Sequence, residues 1–410
     1  MNPYSSRLHD LFQLEFFGMK LGLENISSLL EFLGRPDRKV PSIHVAGTNG
    51  KGSVSSMLAA IHTADGKKTG LFTSPHLVEF RERIRIDGEV ITEAEVGEFL
   101  SRCWSKIEEL KATFFEVTTA MAFDHFARHG VDIAVIETGL GGRLDATNVL
   151  ERPLVAVITS IGLDHQQQLG DTLPLIATEK AGILKATVPA VVQCLPELEK
   201  VFAERATEVG ATIQFVREFE APEVFATLRP SLLGEFQESN LRTVLAACSV
   251  LPHPPSQKAV QDGIARTSIL TGLRGRMEEF FAPDLESRGI RLFLDVGHNA
   301  DALEEVKKFF QELHLRPITV FGIMRDKDVT AALVTLGEFV SELVAVNAET
   351  PRALSSRELF DAAQRQAICT VDAGGVMDGV SWALANATDG GVVLVSGSHY
   401  VVGEFLKNFT

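Results

Sequence analysis

Short, nearly unbroken apolar runs alternate along this chain with longer segments of helical spacing. Residues 40–46 (VPSIHVA) read as a buried strand, and 68–73 (KTGLFT), 132–137 (DIAVIE) and 154–160 (LVAVITS) as three more. Continuous Val and Ile without polar alternation fit a parallel sheet covered by helices on both faces. Between the runs, 54–64 carries Met57, Leu58 and Ile61 at near-helical spacing, and 92–111, 116–128, 172–184 and 196–209 are predicted helices. Asp87-Gly88 divides the apolar stretches 83–86 and 90–92, which predicts a tight hairpin. A second alternation begins near residue 290, with strands at 290–296, 318–321, 343–346 and 392–395 and helices at 301–313, 355–366 and 403–408. The segment 270–276 (LTGLRGR) lies between the two alternations and reads as a hinge. The expectation is two α/β domains, 1–271 and a smaller 272–410.

Composition narrows the function classes. A length of 410 residues suits two or three domains. Lys plus Arg is 39 and Asp plus Glu is 54, a net charge of −15. That balance argues against nucleic acid and anionic membrane as partners, since both need basic surface. A small anionic ligand stays possible where a local site opposes the global field. The 26 Phe against two Tyr and two Trp read as core filler. Cys103, Cys194, Cys248 and Cys369 stand far apart with no CxxC pair, which reads as reduced thiols in a cytoplasmic protein. His9, Asp10 and Glu15 break the opening segment, so it does not read as a signal peptide. No apolar run approaches the roughly 18 residues of a membrane span.

Residues 47–53 (GTNGKGS) follow a predicted strand and open a predicted helix. Backbone N–H groups at such a helix start converge on an anion, and Lys51 adds a point charge. A GxxxxGK[ST] loop would need Gly at Val45 and Ser or Thr at Gly52, so this loop is a variant. A purely structural glycine turn is the competing reading. The second cluster, 137–148 (ETGLGGRLDATN), sits at a strand's carboxyl end. Leu144 stands where a dinucleotide GxGxxG turn needs its third glycine, so ligand chemistry is the better reading there. Glu137 is a hard oxygen donor suited to Mg²⁺. Asp164-His165 follows the next strand, and that position favours a functional histidine.

Together these segments resemble the folylpolyglutamate synthase and dihydrofolate synthase family, within the wider Mur ligase group. The pieces are GTNGKGS at 47–53, TSPHL at 73–77, ERIRI at 82–86, ETGLGGRLDATN at 137–148, LDH at 163–165, EKAGI at 179–183, Gln237 to Asn240, GR at 275–276 and DVGHN at 295–299. Arg274, Gly297 and the three glutamines at 166–168 depart from the family pattern. The resemblance implies a Mur-ligase-like α/β fold, with a P-loop-type parallel-sheet ATPase domain followed by a smaller Rossmann-like domain. It implies ATP phosphates on Asn49, Gly50, Lys51 and Gly52, with Ser53 nearest the metal. Ser74, Glu137 and His165 look like Mg²⁺ ligands, and Lys180 matches a lysine carried as a carbamate that helps hold a second ion. Asn240, Arg276 and Asp295 match ATP contacts. Phe115, Glu116, Thr119, Leu144, Asp145 and Ala146 match the pterin side of the substrate site. His298 and Asn299 are expected to face the cleft, with His298 a candidate for the catalytic proton transfer. Taken alone, Lys180 would be a helix-surface lysine, Arg276 a hinge ion-pair partner and Ser74-Pro75 a turn.

The implied reaction is ATP-dependent ligation of L-glutamate to dihydropteroate, to a folylpolyglutamate, or to both, through an acyl phosphate. The expected partners are those small molecules, with no nucleic acid, no membrane and a monomeric chain. A P-loop kinase or GTPase is disfavoured, since the guanine motif NKxD is absent. A nucleotide-gated binding protein is disfavoured by the joint presence of Lys51, Glu137, His165 and Lys180.

Overall fold

Two mainly parallel sheets organise the chain. The computed structural model describes residues 3–14 and 22–409, so Glu15 of the opening segment lies outside it. The first sheet comprises β1 Ser42–Ala46, β2 Thr69–Phe72, β3 Ile84–Ile86, β4 Glu89–Val90, β5 Ile133–Glu137, β6 Val155–Ile158, β7 Pro189–Val192 and β8 Thr212–Phe215. Their order is β4-β3-β2-β5-β1-β6-β7-β8. β3 pairs antiparallel with both β2 and β4, and the other neighbours run parallel. Asp87 and Gly88 both take positive φ (50° and 86°), the backbone a two-residue hairpin turn demands. Every residue of β1, β5 and β6 is buried, as the unbroken apolar runs predict.

Helices cover both faces. Val54, Met57, Leu58 and Ile61 of helix Lys51–Ala64 pack with Val244 and Leu245 of helix Phe236–Ser249 and with Val260 and Ile264 of helix Gln257–Ala265. On the opposite face, helices Glu93–Leu110 and Phe114–Arg128 contribute Phe99, Phe123 and Phe126 to a second core. Each such ring adds roughly 1.5–3 kcal/mol by leaving water. Thr92 with Glu95 and Thr113 with Glu116 form reciprocal capping boxes that set where these two helices begin.

The second sheet comprises β9 Glu278–Phe280, β10 Arg291–Leu294, β11 Ile318–Phe321, β12 Glu342–Asn347, β13 Thr370–Gly375 and β14 Val392–Ser396. Its order is β13-β12-β11-β14-β10-β9, with only β9 antiparallel. Between the sheets, helix Thr267–Thr271 ends at Gly272 in left-handed backbone, so Leu270 and Thr271 of the expected hinge are helical. Residues 272–277 then run to β9 without helix or strand.

Several bounds differ from the sequence reading. The helix expected at 172–184 is Leu173–Ala181, with Gly182 at its C-cap. The helix expected at 196–209 opens with a 3₁₀ turn, Pro196–Leu198, before Glu199–Val209. The last helix begins at His399, not 403. Among the described residues no helix is long and apolar enough to cross a membrane, and Cys103, Cys194, Cys248 and Cys369 are free thiols.

Candidate active site

The carboxyl ends of β1, β5 and β6 open into a cavity of about 1250 Å³ that is also lined from the second sheet's side. The 47–53 loop forms its floor. Gly50 needs φ of 86°, and a Cβ there would lie 2.5 Å from Asn240 Oδ1, so only glycine fits. The loop is tied to the end of β6: Thr48 N–H donates to Ser160 O (2.7 Å) and Thr159 Oγ1 donates to Asn49 O (2.7 Å). Gln237 Nε2 donates to Ser53 Oγ (3.3 Å), and Asn240 Nδ2 to Gln237 Oε1 (2.9 Å).

Both lysines turn onto the loop's own backbone. Lys51 Nζ donates to the carbonyls of Gly47 (3.1 Å) and Thr48 (3.0 Å), and Lys180 Nζ donates to the same Gly47 oxygen (2.7 Å). Lys180 is buried, and burial with the Lys51 charge pushes its amine down to about 7.

Glu137 ends β5 and is buried, with no hydrogen-bond partner for Oε2. Burial pushes its carboxyl up to about 7, against the pull of Lys51, Arg276 and the Ser74 backbone N–H. A hard carboxylate oxygen left bare in a cavity fits a divalent cation. His165 adopts positive φ (50°) at the start of the short helix Gln166–Leu169. Burial pushes its imidazole down to about 4, against Asp164, so it is neutral near pH 7 with a lone pair to offer. Ser74, Glu137 and His165 all line the cavity, a set that fits such an ion.

Residues beyond 271 complete the walls. A Cβ on Gly52 would lie 3.2 Å from Arg276 Nη2 and 3.8 Å from Glu137 Oε2, so loop, guanidinium and carboxylate converge. Asp295 accepts from Met277 N (2.9 Å) and Gly297 N (2.7 Å), which pins the connector to the end of β10. Asn49 and Asn299 exchange side-chain amide bonds at 3.2 and 3.1 Å. Asp164 pairs with Lys327 (2.5 Å), lies 3.5 Å from His298 Nε2 and accepts from Asn299 Nδ2 (3.4 Å). Burial alone would raise this carboxyl, but the His298 hydrogen bond and the neighbouring His165, His298 and Lys327 hold it well below the usual carboxylate range.

Of the residues that the family resemblance assigns to the substrate, Phe115, Glu116, Leu144, Asp145 and Ala146 line the cavity, whereas Thr119 lies outside its lining with its hydroxyl buried and unpartnered. The Glu116 carboxylate is occupied by Thr113 N (2.7 Å) and Thr113 Oγ1 (2.9 Å). Asp145 accepts from Leu140 N (2.8 Å), Thr147 N (3.0 Å) and Thr147 Oγ1 (2.5 Å). Asp145 therefore shapes the wall with both oxygens, and Glu116 with Oε2. Lys327, His399, Arg83 and Arg143 also line the site; Lys327 and His399 carry no local signal in the sequence, whereas Arg83 and Arg143 lie within the 82–86 and 137–148 segments.

The chain matches two domain families, the Mur ligase middle domain over residues 45–217 and the Mur ligase glutamate ligase domain over residues 275–399. These matches and the two-sheet fold define it as a Mur ligase. Escherichia coli dihydrofolate synthase/folylpolyglutamate synthase is 32% identical over 99% of this chain and 95% of its own length. The structure of E. coli FolC in complex with DHPP and ADP has a TM-score of 0.87 at 30% identity, covering 100% of this chain and 98% of that one. The bifunctional folylpolyglutamate synthase/dihydrofolate synthase of Yersinia pestis, complexed with AMPPNP and Mn, has a TM-score of 0.86 at 30% identity, covering 100% and 98%. The chain belongs to the dihydrofolate synthase/folylpolyglutamate synthase family.

Proposed function

We propose that this chain ligates L-glutamate to dihydropteroate and to tetrahydrofolate or its polyglutamates, at the expense of ATP. The observation that carries the reading is the convergence of the 47–53 loop, the bare Glu137 oxygen and Arg276 in one cleft. Residues 1–271 hold the nucleotide loop and the folate wall, and 272–410 supply the other jaw. The loop amides at 49–53 and Lys51 hold the phosphates; Asn240, Arg276 and Asp295 hold the rest of the nucleotide site. Phe115, Leu144 and Ala146 contact the pterin, with Glu116, Thr119 and Asp145 supporting that wall.

The substrate carboxylate attacks the γ-phosphorus, ADP departs and an acyl phosphate forms. The glutamate nitrogen then attacks the acyl carbon, inorganic phosphate departs, and the nitrogen loses a proton. Such phosphoryl transfer needs positioning and neutralisation of charge more than covalent help. Lys51, the loop N–H groups and Arg276 supply fixed positive charge. Ser74, Glu137 and His165 would hold Mg²⁺, which supplies charge neutralisation when bound. A carbamate on Lys180 would turn a buried cation into an anionic oxygen ligand for a second ion. The lowered amine of Lys180 supports this, because only a neutral amine adds CO₂. His298 is our candidate to take the amine proton: its Nδ1 faces Val296 O (2.9 Å), and Asp164, 3.5 Å from Nε2, would stabilise the cation.

Closure about 272–277 would shield the acyl phosphate from water. We place the enzyme in the cytoplasm, which the free thiols support, and take it to be a monomer. The test is ADP release with dihydropteroate plus glutamate, and separately with tetrahydrofolate plus glutamate. Release is expected with both; release with neither would overturn the folate assignment.

A further inference from the structure

A second cluster of ligand atoms lies away from the cleft, between helices Glu93–Leu110 and Phe114–Arg128. Glu95, His125 and His129 place one ligand atom each within 4.8 Å of one another. They line a separate cavity of about 210 Å³ together with Ile91, Phe99 and Met121. Glu95 Oε1 is 3.0 Å from His129 Nε2 and 3.7 Å from His125 Nδ1.

Two features set the orientation. The other Glu95 oxygen, Oε2, accepts from Thr92 N (2.9 Å) and Thr92 Oγ1 (2.6 Å), so Oε1 is held toward the histidines. His129 Nδ1 faces the backbone carbonyl of His125 at 2.9 Å and so carries the proton it donates there. Its Nε2 then presents a lone pair to a carboxylate, which is acceptor-only when ionised. Two acceptors 3.0 Å apart need a cation between them, either a proton on Nε2 or a metal ion. A histidine anchored through one ring nitrogen to a backbone carbonyl is the usual arrangement of a metal ligand. Both histidines also stand at the C-terminal end of their helix, where the macrodipole favours a cation. The flanking charges are committed elsewhere: Arg128 to Glu98 (2.8 Å), Arg102 to Asp124, and Lys68 to His129 O (2.7 Å).

We propose that Glu95, His125 and His129 form a three-ligand site for a borderline transition metal, with Zn²⁺ the expected ion and water completing its shell. Two imidazoles and one carboxylate are a zinc donor set. Metal–ligand bonds of roughly 2.0–2.2 Å put neighbouring donors about 3.3 Å apart, close to the spacing already present. The ion would clamp helix Glu93–Leu110 to helix Phe114–Arg128, whose other end brings Phe114, Phe115 and Glu116 to the cleft. The site is independent of the ligase reading.

The experiment uses the full chain, stripped of metal, carrying Glu137→Gln to silence the cleft. Zinc is titrated against a chromophoric chelator, and melting temperature is followed in parallel. The expected result is one zinc per chain and a raised melting temperature. His129→Ala or His125→Gln should weaken zinc affinity at least roughly tenfold and abolish that rise. If His125→Gln fails to fold, His129→Ala, at the more exposed position, still decides. No zinc bound by the parent, or equal affinity in parent and His129→Ala, would overturn the proposal.

Discussion

The cleft holds two charge clusters built on opposite plans. Around the glycine loop, groups are buried and under-partnered: Glu137 Oε2 has no hydrogen bond, and two lysines share one carbonyl. Around Asp164 the reverse holds, with one carboxylate facing Lys327, His298 and Asn299 from the second domain. Unmet polar capacity costs stability and marks where a ligand belongs. Saturated capacity instead fixes geometry, here the approach of one domain to the other. The same charged residue types thus serve binding in one cluster and docking in the other.

The sharpest way to break this contrast is Lys51→Ala. Turnover should fall by about 10³-fold or more, as loss of a preorganised charge at a phosphoryl group does. Activity within tenfold of the parent would remove the loop from the mechanism. On the docking side, Lys327→Ala strips Asp164 of its ammonium. Breaking a buried pair costs about 3 kcal/mol at the low end, which a urea melt would read. An unchanged midpoint would mean the bridge is idle.

Glu137→Gln should cost roughly 100-fold in divalent-metal affinity while leaving nucleotide affinity without metal nearly intact. In the parent, folding pushes this carboxyl from 4.5 up to about 7, so the metal-free form loses stability as pH rises from 4.5 to 7. Metal binding should release a proton over the same window, measurable by calorimetry in buffers of differing ionisation heat.

Lys180 gives a gentler test with the opposite titrating form. Its folded value is lowered from 10.5 to about 7, so between those pH values the unfolded chain binds the extra proton. Stability therefore rises with pH above 7. The melting temperature of the parent should rise relative to that of Lys180→Met across that range, and a constant difference would contradict the burial argument. The smallest effect belongs to the folate wall: Thr113→Ala removes a cap worth about 1 kcal/mol and should raise the folate KM more than it lowers kcat.

Legibility in the sequence followed the same physics. Strands β1, β2, β5, β6, β10, β11, β12 and β14 announce themselves as apolar runs because both faces are covered. Strands β8 and β13 do not, since they stand at sheet edges with half-buried or exposed residues such as Gln214 and Asp372. Loop residues at strand ends were readable through glycine and carboxylate spacing. Lys327 was not, because an isolated charged residue on a loop carries no periodicity, and neither was His399, a lone histidine at the first position of the last helix. That Asp145 and the Oε2 of Glu116 are taken up by local hydrogen bonds was equally invisible, as it depends on rotamers and not on order along the chain.

The carbonyl of Gly47 has a further consequence. It accepts from both ammonium groups, so two positive charges are gathered on one oxygen at the head of the loop. On the proposed reading, ATP phosphate would compete with that oxygen for Lys51, and nucleotide entry and departure would be exchanges of one acceptor for another. Such a loop favours an occupant able to replace the contact it takes away.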